Sequence, residues 1–177
     1  MNYKRLCPIV FISLFLSCNK KKGKPLFSLI ENSAIQFENK LTETKNLNVF
    51  NYRNFYNGAG VATGDINNDG LADVFFTSNM GANKLFLNKG NFQFEDISEK
   101  AGFHDKKQWS TGVVMVDINH DNLLDIYVCN AGYQKGVGNT NELWINNGDL
   151  TFTEKAAEYG LNDSGYTTHA AFFDYDL

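Results

Sequence analysis

The sequence predicts an all-β chain assembled from repeated four-stranded antiparallel units, and three observations lead there. An Asp/Asn loop of fixed spacing occurs twice, at residues 65–73 and 117–125. The runs flanking each loop are short, apolar and rich in Val, Ile, Phe and Tyr, punctuated by Gly and Asn, which are strand signals. The whole block around each loop, about 50 residues, recurs, and a four-stranded unit repeated at 40 to 50 residues is the signature of a β-propeller.

The chain opens with MNYKRLCPIVFISLFLSC, a basic start (Lys4, Arg5) followed by an apolar run from Leu6 to Leu16. That run is shorter than the roughly 20 residues needed to span a bilayer and fits the core of a signal peptide over residues 1–18. Cys18, directly after Leu16 and Ser17, resembles the lipidated cysteine of a bacterial lipoprotein signal. An ordinary signal peptide cut nearby and an uncleaved anchor are the other readings. Residues 19–57 then form a tether, with Lys20, Lys21, Lys22 and Lys24 as a solvated charge run, and a mixed N-terminal segment. Its apolar residues are unevenly spaced; there is room for a short strand near Ala34 to Glu38, and the Asn-rich stretch from Asn46 to Asn57 reads as loop.

From Gly58 the repeats begin. Residues 58–103 read GAGVATGDINNDGLADVFFTSNMGANKLFLNKGNFQFEDISEKAGF, and residues 110–161 read STGVVMVDINHDNLLDIYVCNAGYQKGVGNTNELWINNGDLTFTEKAAEYGL. Within the first, GVATGDI, ADVFFTS, KLFLN and FQFEDI are the four strand runs. The VVMV run of the second is apolar on both faces, as an inner strand packed between neighbours requires. In the last run Phe92 and Phe94 alternate with Gln93 and Glu95. SEKAGF and EKAAEYGL suit a single helical turn ending at Gly102 or Gly160. The second copy is longer because Gln134 to Asn141 add a Gly- and Asn-rich loop, and such insertions are thermodynamically cheap. A third, incomplete copy spans residues 166–177 and ends in FFDYDL.

The loop DINNDGLAD places side-chain oxygens at positions 1, 3, 5 and 9 (Asp65, Asn67, Asp69, Asp73) with Gly70 at position 6. Calcium takes six to eight oxygen ligands, so alternate side chains of a tight loop and the carbonyl of Leu71 at position 7 can converge on one ion. DINHDNLLD repeats the pattern with Asp117, Asn119, Asp121, the carbonyl of Leu123, and Asp125; Asn122 replaces the glycine and tolerates the left-handed region. Asp174 and Asp176 start a third loop. An EF-hand would need Glu at position 12, where Phe76 stands, so these are calcium-type loops inside β-hairpins. Plain Asx-turns are the alternative, since Asp, Asn and Gly dominate ordinary turns as well.

These blocks, with WSTGVVMVDINHDNLLDIYVCNAG and the terminal AAFFDYDL, resemble the VCBS/FG-GAP repeat proteins. Among these they resemble most the cartilage-acidic-protein-like group of secreted bacterial proteins, which often carry an ASPIC/UnbV domain. The resemblance implies a partial β-propeller of two complete blades and the start of a third, out of an expected seven, with structural Ca2+ in hairpin loops on one face. Two repeats and a part cannot close such a ring, which predicts an N-terminal fragment of a longer protein.

With 43% hydrophobic residues the chain can bury a core, and a net charge of -4 argues against general nucleic-acid binding. His104, His120 and His169 are scattered, no HExxH or GxSxG motif occurs, and Gly58, Gly60 and Gly64 do not have dinucleotide-binding spacing. His120, at position 4 of its loop, is expected in solvent, Cys129 as a buried free thiol, and Trp109, Trp144, Tyr127 and Phe173 in the blade core. The function expected is a non-catalytic, calcium-stabilised binding module for a protein or glycan. It would be exported and lipid-anchored in the envelope of a Gram-negative bacterium, at the outer membrane or cell surface. The alternatives are the non-catalytic part of a larger exported hydrolase and an envelope assembly scaffold.

Overall fold

The computed structural model describes residue 23 and residues 25–103, 108–132 and 139–175. The expected signal peptide with Cys18, the tether lysines, most of the inserted loop and Asp176 lie outside the described residues.

Two four-stranded antiparallel sheets follow one another along the chain. The first has the order β1 (Val61–Gly64), β2 (Asp73–Phe76), β3 (Lys84–Asn88) and β4 (Phe94–Asp96); the second has β5 (Ser110–Val116), β6 (Asp125–Asn130), β7 (Glu142–Asn146) and β8 (Phe152–Glu154). Each is an up-and-down blade, and the register repeats: Gly64 pairs with Asp73 as Val116 pairs with Asp125. The expected helical turn after the first blade is α1 (Ser98–Ala101), ended by Gly102 in the left-handed region at φ 98°. After the second blade residues 156–160 form turns, and Gly160 again has positive φ, 68°.

Strand alternation sorts the apolar residues into layers. Phe75, Leu85, Leu87, Ile97, Ala101 and Phe103 of the first blade meet Val113, Ile126, Val128, Trp144 and Phe152 of the second in one buried cluster. Phe103 is its hinge pin, with ring contacts to Phe75, Trp144 and Phe152 at 4.9, 4.8 and 5.6 Å. The neighbouring positions, Tyr127, Cys129, Leu143 and Ile145, point to the opposite face of the second blade. There Leu161, Ala170 and Phe172 cover them. Successive inner strands approach closely: a Cβ on Gly60 would lie 2.6 Å from the Thr111 carbonyl, and one on Gly112 would lie 2.6 Å from that of Thr168. Only glycine fits at such a backbone contact.

Three expectations are corrected. Residues 34–38 form no strand; instead Phe37 stacks on Phe76 at 4.7 Å and the Ser33 carbonyl accepts the Phe94 N–H, so this segment lies over the outer face of the first blade. Phe92 sits in the β3–β4 turn at φ 55° and is exposed, because Gly90 and Asn91 also take positive φ and delay the strand to Phe94. Phe173 is 78% exposed, since alternation in the third repeat turns Phe172 inward against Tyr127. Trp109, Trp144, Tyr127 and Cys129 are buried.

Candidate metal centre

The two loops connect β1 to β2 and β5 to β6, and they fold alike bond for bond. In the first, Asp65 accepts the N–H groups of Asp69 (3.1 Å) and Gly70 (2.7 Å), and Asp69 accepts that of Leu71 (2.9 Å). In the second, Asp117 accepts those of Asp121 (3.2 Å) and Asn122 (3.0 Å), and Asp121 that of Leu123 (2.8 Å). At position 3, Asn67 donates its amide to the Asp69 carboxylate at 3.0 Å, and Asn119 to that of Asp121 at 2.9 Å. Positive φ at positions 4 and 6 winds both loops: Asn68 and Gly70 at 59° and 85°, His120 and Asn122 at 61° and 67°. His120 is exposed.

Position 9 differs in kind from the others. Asp73 and Asp125 are both fully buried. Asp73 takes the Ile66 N–H at 3.0 Å on one oxygen and the Asn88 N–H at 2.7 Å on the other; Asp125 takes those of Ile118 (3.1 Å) and Asn146 (2.8 Å). Each therefore pins the loop entrance to the middle of the sheet. Burial raises both carboxyls above the ordinary value, partly opposed by the backbone hydrogen bonds and reinforced by the two other loop aspartates.

Whether these residues suit a hard cation is a matter of donor chemistry. Each loop offers only oxygens, and the field of two further carboxylates reaches the buried one, so negative charge is concentrated there without a counter-charge in the loop. The Asn67 amide reaches the Asp69 carboxylate, and Asn119 that of Asp121, so the side chains at positions 3 and 5 lie side by side in both loops. Among the described residues no three His, Cys, Asp or Glu side chains form a ready-made cage. Asp174 is exposed and borders a cleft of about 680 Å³ with Asp117, His120 and Phe172.

Sequence reasoning passed over two asparagine pairs. Asn88 and Asn146 follow the loops in the register of β3 and β7; each accepts a turn glycine N–H at 2.9 Å (Gly90, Gly148), and Asn146 also donates to the Ile66 carbonyl of the first loop at 2.8 Å. At the other end of the blades, Asn83 accepts the Ser78 N–H and donates to the Ser110 hydroxyl, as Asn141 accepts that of Asn130 and donates to Thr167. The signal was their identical place in both repeats, Asn before KLFLN and ELWIN and Asn at the end of each.

Residues 65–128, from the first loop through the second, match the FG-GAP-like repeat family. Over this stretch the chain is similar to FG-GAP-like repeats. Cartilage acidic protein 1 of Xenopus tropicalis is 41% identical over 69 residues, covering 39% of this chain and 11% of that protein. Its counterparts in Mus musculus and Homo sapiens are 39% and 38% identical over the same length. The matched FG-GAP region thus spans only about a tenth of the curated relatives. FG-GAP repeats are β-propeller elements, in agreement with the two successive blades; the described residues do not close a ring.

Proposed function

We propose that this chain is a calcium-stabilised, non-catalytic FG-GAP propeller module that binds a protein or glycan outside the cell. The observation that carries the reading is the pair of loops in successive blades with matching hydrogen bonds, each placing three aspartates and an asparagine at the same positions of one turn. Calcium would be held by Asp65, Asn67, Asp69, the Leu71 carbonyl and Asp73, and by Asp117, Asn119, Asp121, the Leu123 carbonyl and Asp125. It would supply charge neutralisation and rigidity. The chain's own residues contribute the rest: the Asp65 and Asp117 carboxylates hold the turn N–H groups, and Asp73 and Asp125 tie the turn to the sheet.

Repeats of this family are typical of extracellular and cell-surface proteins, which supports export. No helix of the described residues is long and apolar enough to cross a membrane. Attachment is proposed to run through a lipid on Cys18, with the module at the outer membrane or cell surface.

The test is thermal unfolding of the chain with about 2 mM calcium against excess chelator, a level above the 0.1–1 mM dissociation constants of extracellular modules, on the order of those known. A rise in midpoint that disappears in the Asp65→Ala, Asp117→Ala double variant is the expected result, since a ligand bound only by the folded state stabilises it by mass action. A cooperative transition indifferent to calcium would leave the loops as Asx-turns.

A further inference from the structure

The two loops touch. Asn68, at position 4 of the first, donates its side-chain amide across the blade boundary to the backbone carbonyl of Asn122, at position 6 of the second, at 2.9 Å. We propose that Asn68 is a positioning residue for the neighbouring loop, so that the first loop sets the geometry, and hence the cation affinity, of the second. This deepens the calcium reading and rests on it for the affinity part.

Three observations support it. Asn122 stands where the first loop has glycine, and its φ of 67° lies in the region that L-residues with a Cβ avoid. Its N–H is also the donor to the Asp117 carboxylate, so any drift of this peptide disturbs the first oxygen ligand of the second loop. The clamp grips the carbonyl of that same residue. Asn68 in turn lies between Asn67 and Asp69, two ligand positions of the first loop, and takes φ 59° there. An ion that fixes its two neighbours fixes the direction of its side chain. A second tie runs through β7: the Asn146 amide donates to the Ile66 carbonyl of the first loop at 2.8 Å and to the Leu124 carbonyl of the second at 3.2 Å.

The variant that separates this role from backbone effects is Asn68→Gly, because glycine keeps positive φ without strain and removes only the donor. Calcium titration of the chain with both loops intact, followed by the NMR amide signals of Asp69 to Leu71 and of Asp121 to Leu123, reads the two loops separately. Asn68→Gly is expected to weaken the second loop at least threefold and to leave the first within twofold; in the Asn122→Gly background, where the turn no longer needs support, its effect should shrink to under twofold. Equal affinity of the second loop with and without Asn68, or an equal loss at both loops, overturns the proposal. The clamp is also read without any metal: amide hydrogen exchange at Asp121, Asn122 and Leu123 in chelator should quicken at least threefold in Asn68→Gly, and unchanged exchange overturns it. A chain that binds no calcium but shows the faster exchange would remove the metal reading and the affinity claim while leaving the clamp.

Discussion

The loop at residues 65–73 and the loop at 117–125 follow the same path with different means. The first uses Gly70 at φ 85°, open on all sides, and needs no help at that position. The second uses Asn122, and a hydrogen bond from the other loop holds its carbonyl. Position 9 shows a similar asymmetry. Asp73 is bonded within its own blade, whereas the Asn146 that bonds Asp125 also reaches back to Ile66. A turn can therefore be specified from inside, by a residue free to adopt it, or from outside, by a neighbour that holds it. The second way makes its blade dependent on the one before.

The strongest way to break this comparison is at the buried carboxylates. Asp73→Ala strands the N–H groups of Ile66 and Asn88, and at the cost of an unsatisfied buried donor the loss should be about 2–4 kcal/mol. Asp125→Ala strands two donors and also frees the residue that ties the blades, so it should cost about 1 kcal/mol more. Urea unfolding followed by tryptophan fluorescence checks the order; equal losses would mean the tie to Ile66 carries nothing.

A smaller effect separates the position 6 residues. Gly70→Ala places a Cβ in the left-handed region and should destabilise by about 1–2 kcal/mol. Asn122→Gly, which relieves that strain and gains freedom in the unfolded chain, should shift stability by less than about 0.5 kcal/mol. If the two substitutions cost the same, the loops are not specified differently.

The smallest expected effect is a pH dependence common to both loops. Burial raises the Asp73 and Asp125 carboxyls, so the folded state holds their protons more tightly than the unfolded state. Their contribution to stability is then full below the ordinary carboxylate value and is lost as the pH rises through the raised one. Asp73→Asn cannot ionise. In calcium-free buffer the stability of the natural chain relative to this variant should fall as the pH is raised through the acid range and then level off; a difference that grew with pH would contradict the assignment.

The repeated blades and both loops were legible because their signals are local and occur twice: short runs rich in Val, Ile, Phe and Tyr punctuated by Gly and Asn, and oxygens at alternate positions of a nine-residue loop. What was not legible depends on contacts between distant segments. Tyr52 and Phe55 bury themselves against Trp109 at the junction of the blades, although the stretch around them shows no apolar period and reads as loop. Asn83 and Asn141 read as loop residues and Asn88 as the end of a strand run, yet these and Asn146 each donate or accept at a fixed point of the sheet. An asparagine in a turn and one bridging two strands look the same in one dimension. Phe92 and Phe173 failed for other reasons: Phe92 stands before β4 begins, where consecutive positive φ delays the strand to Phe94, and Phe173 was expected in the core as an aromatic although its neighbour Phe172 is the one turned inward.

Cys129 gives the second blade a clock. Its thiol is fully buried among Tyr127, Leu143, Ile145 and the covering Phe172, and burial pushes it up to about 11. Burial thus keeps the sulfur in its unreactive thiol form and closes it to reagents in the folded state. Alkylation at this sulfur therefore proceeds only as fast as the layer under the third repeat comes apart. The rate at which a thiol reagent marks Cys129 reports the openings of that layer, with no residue changed.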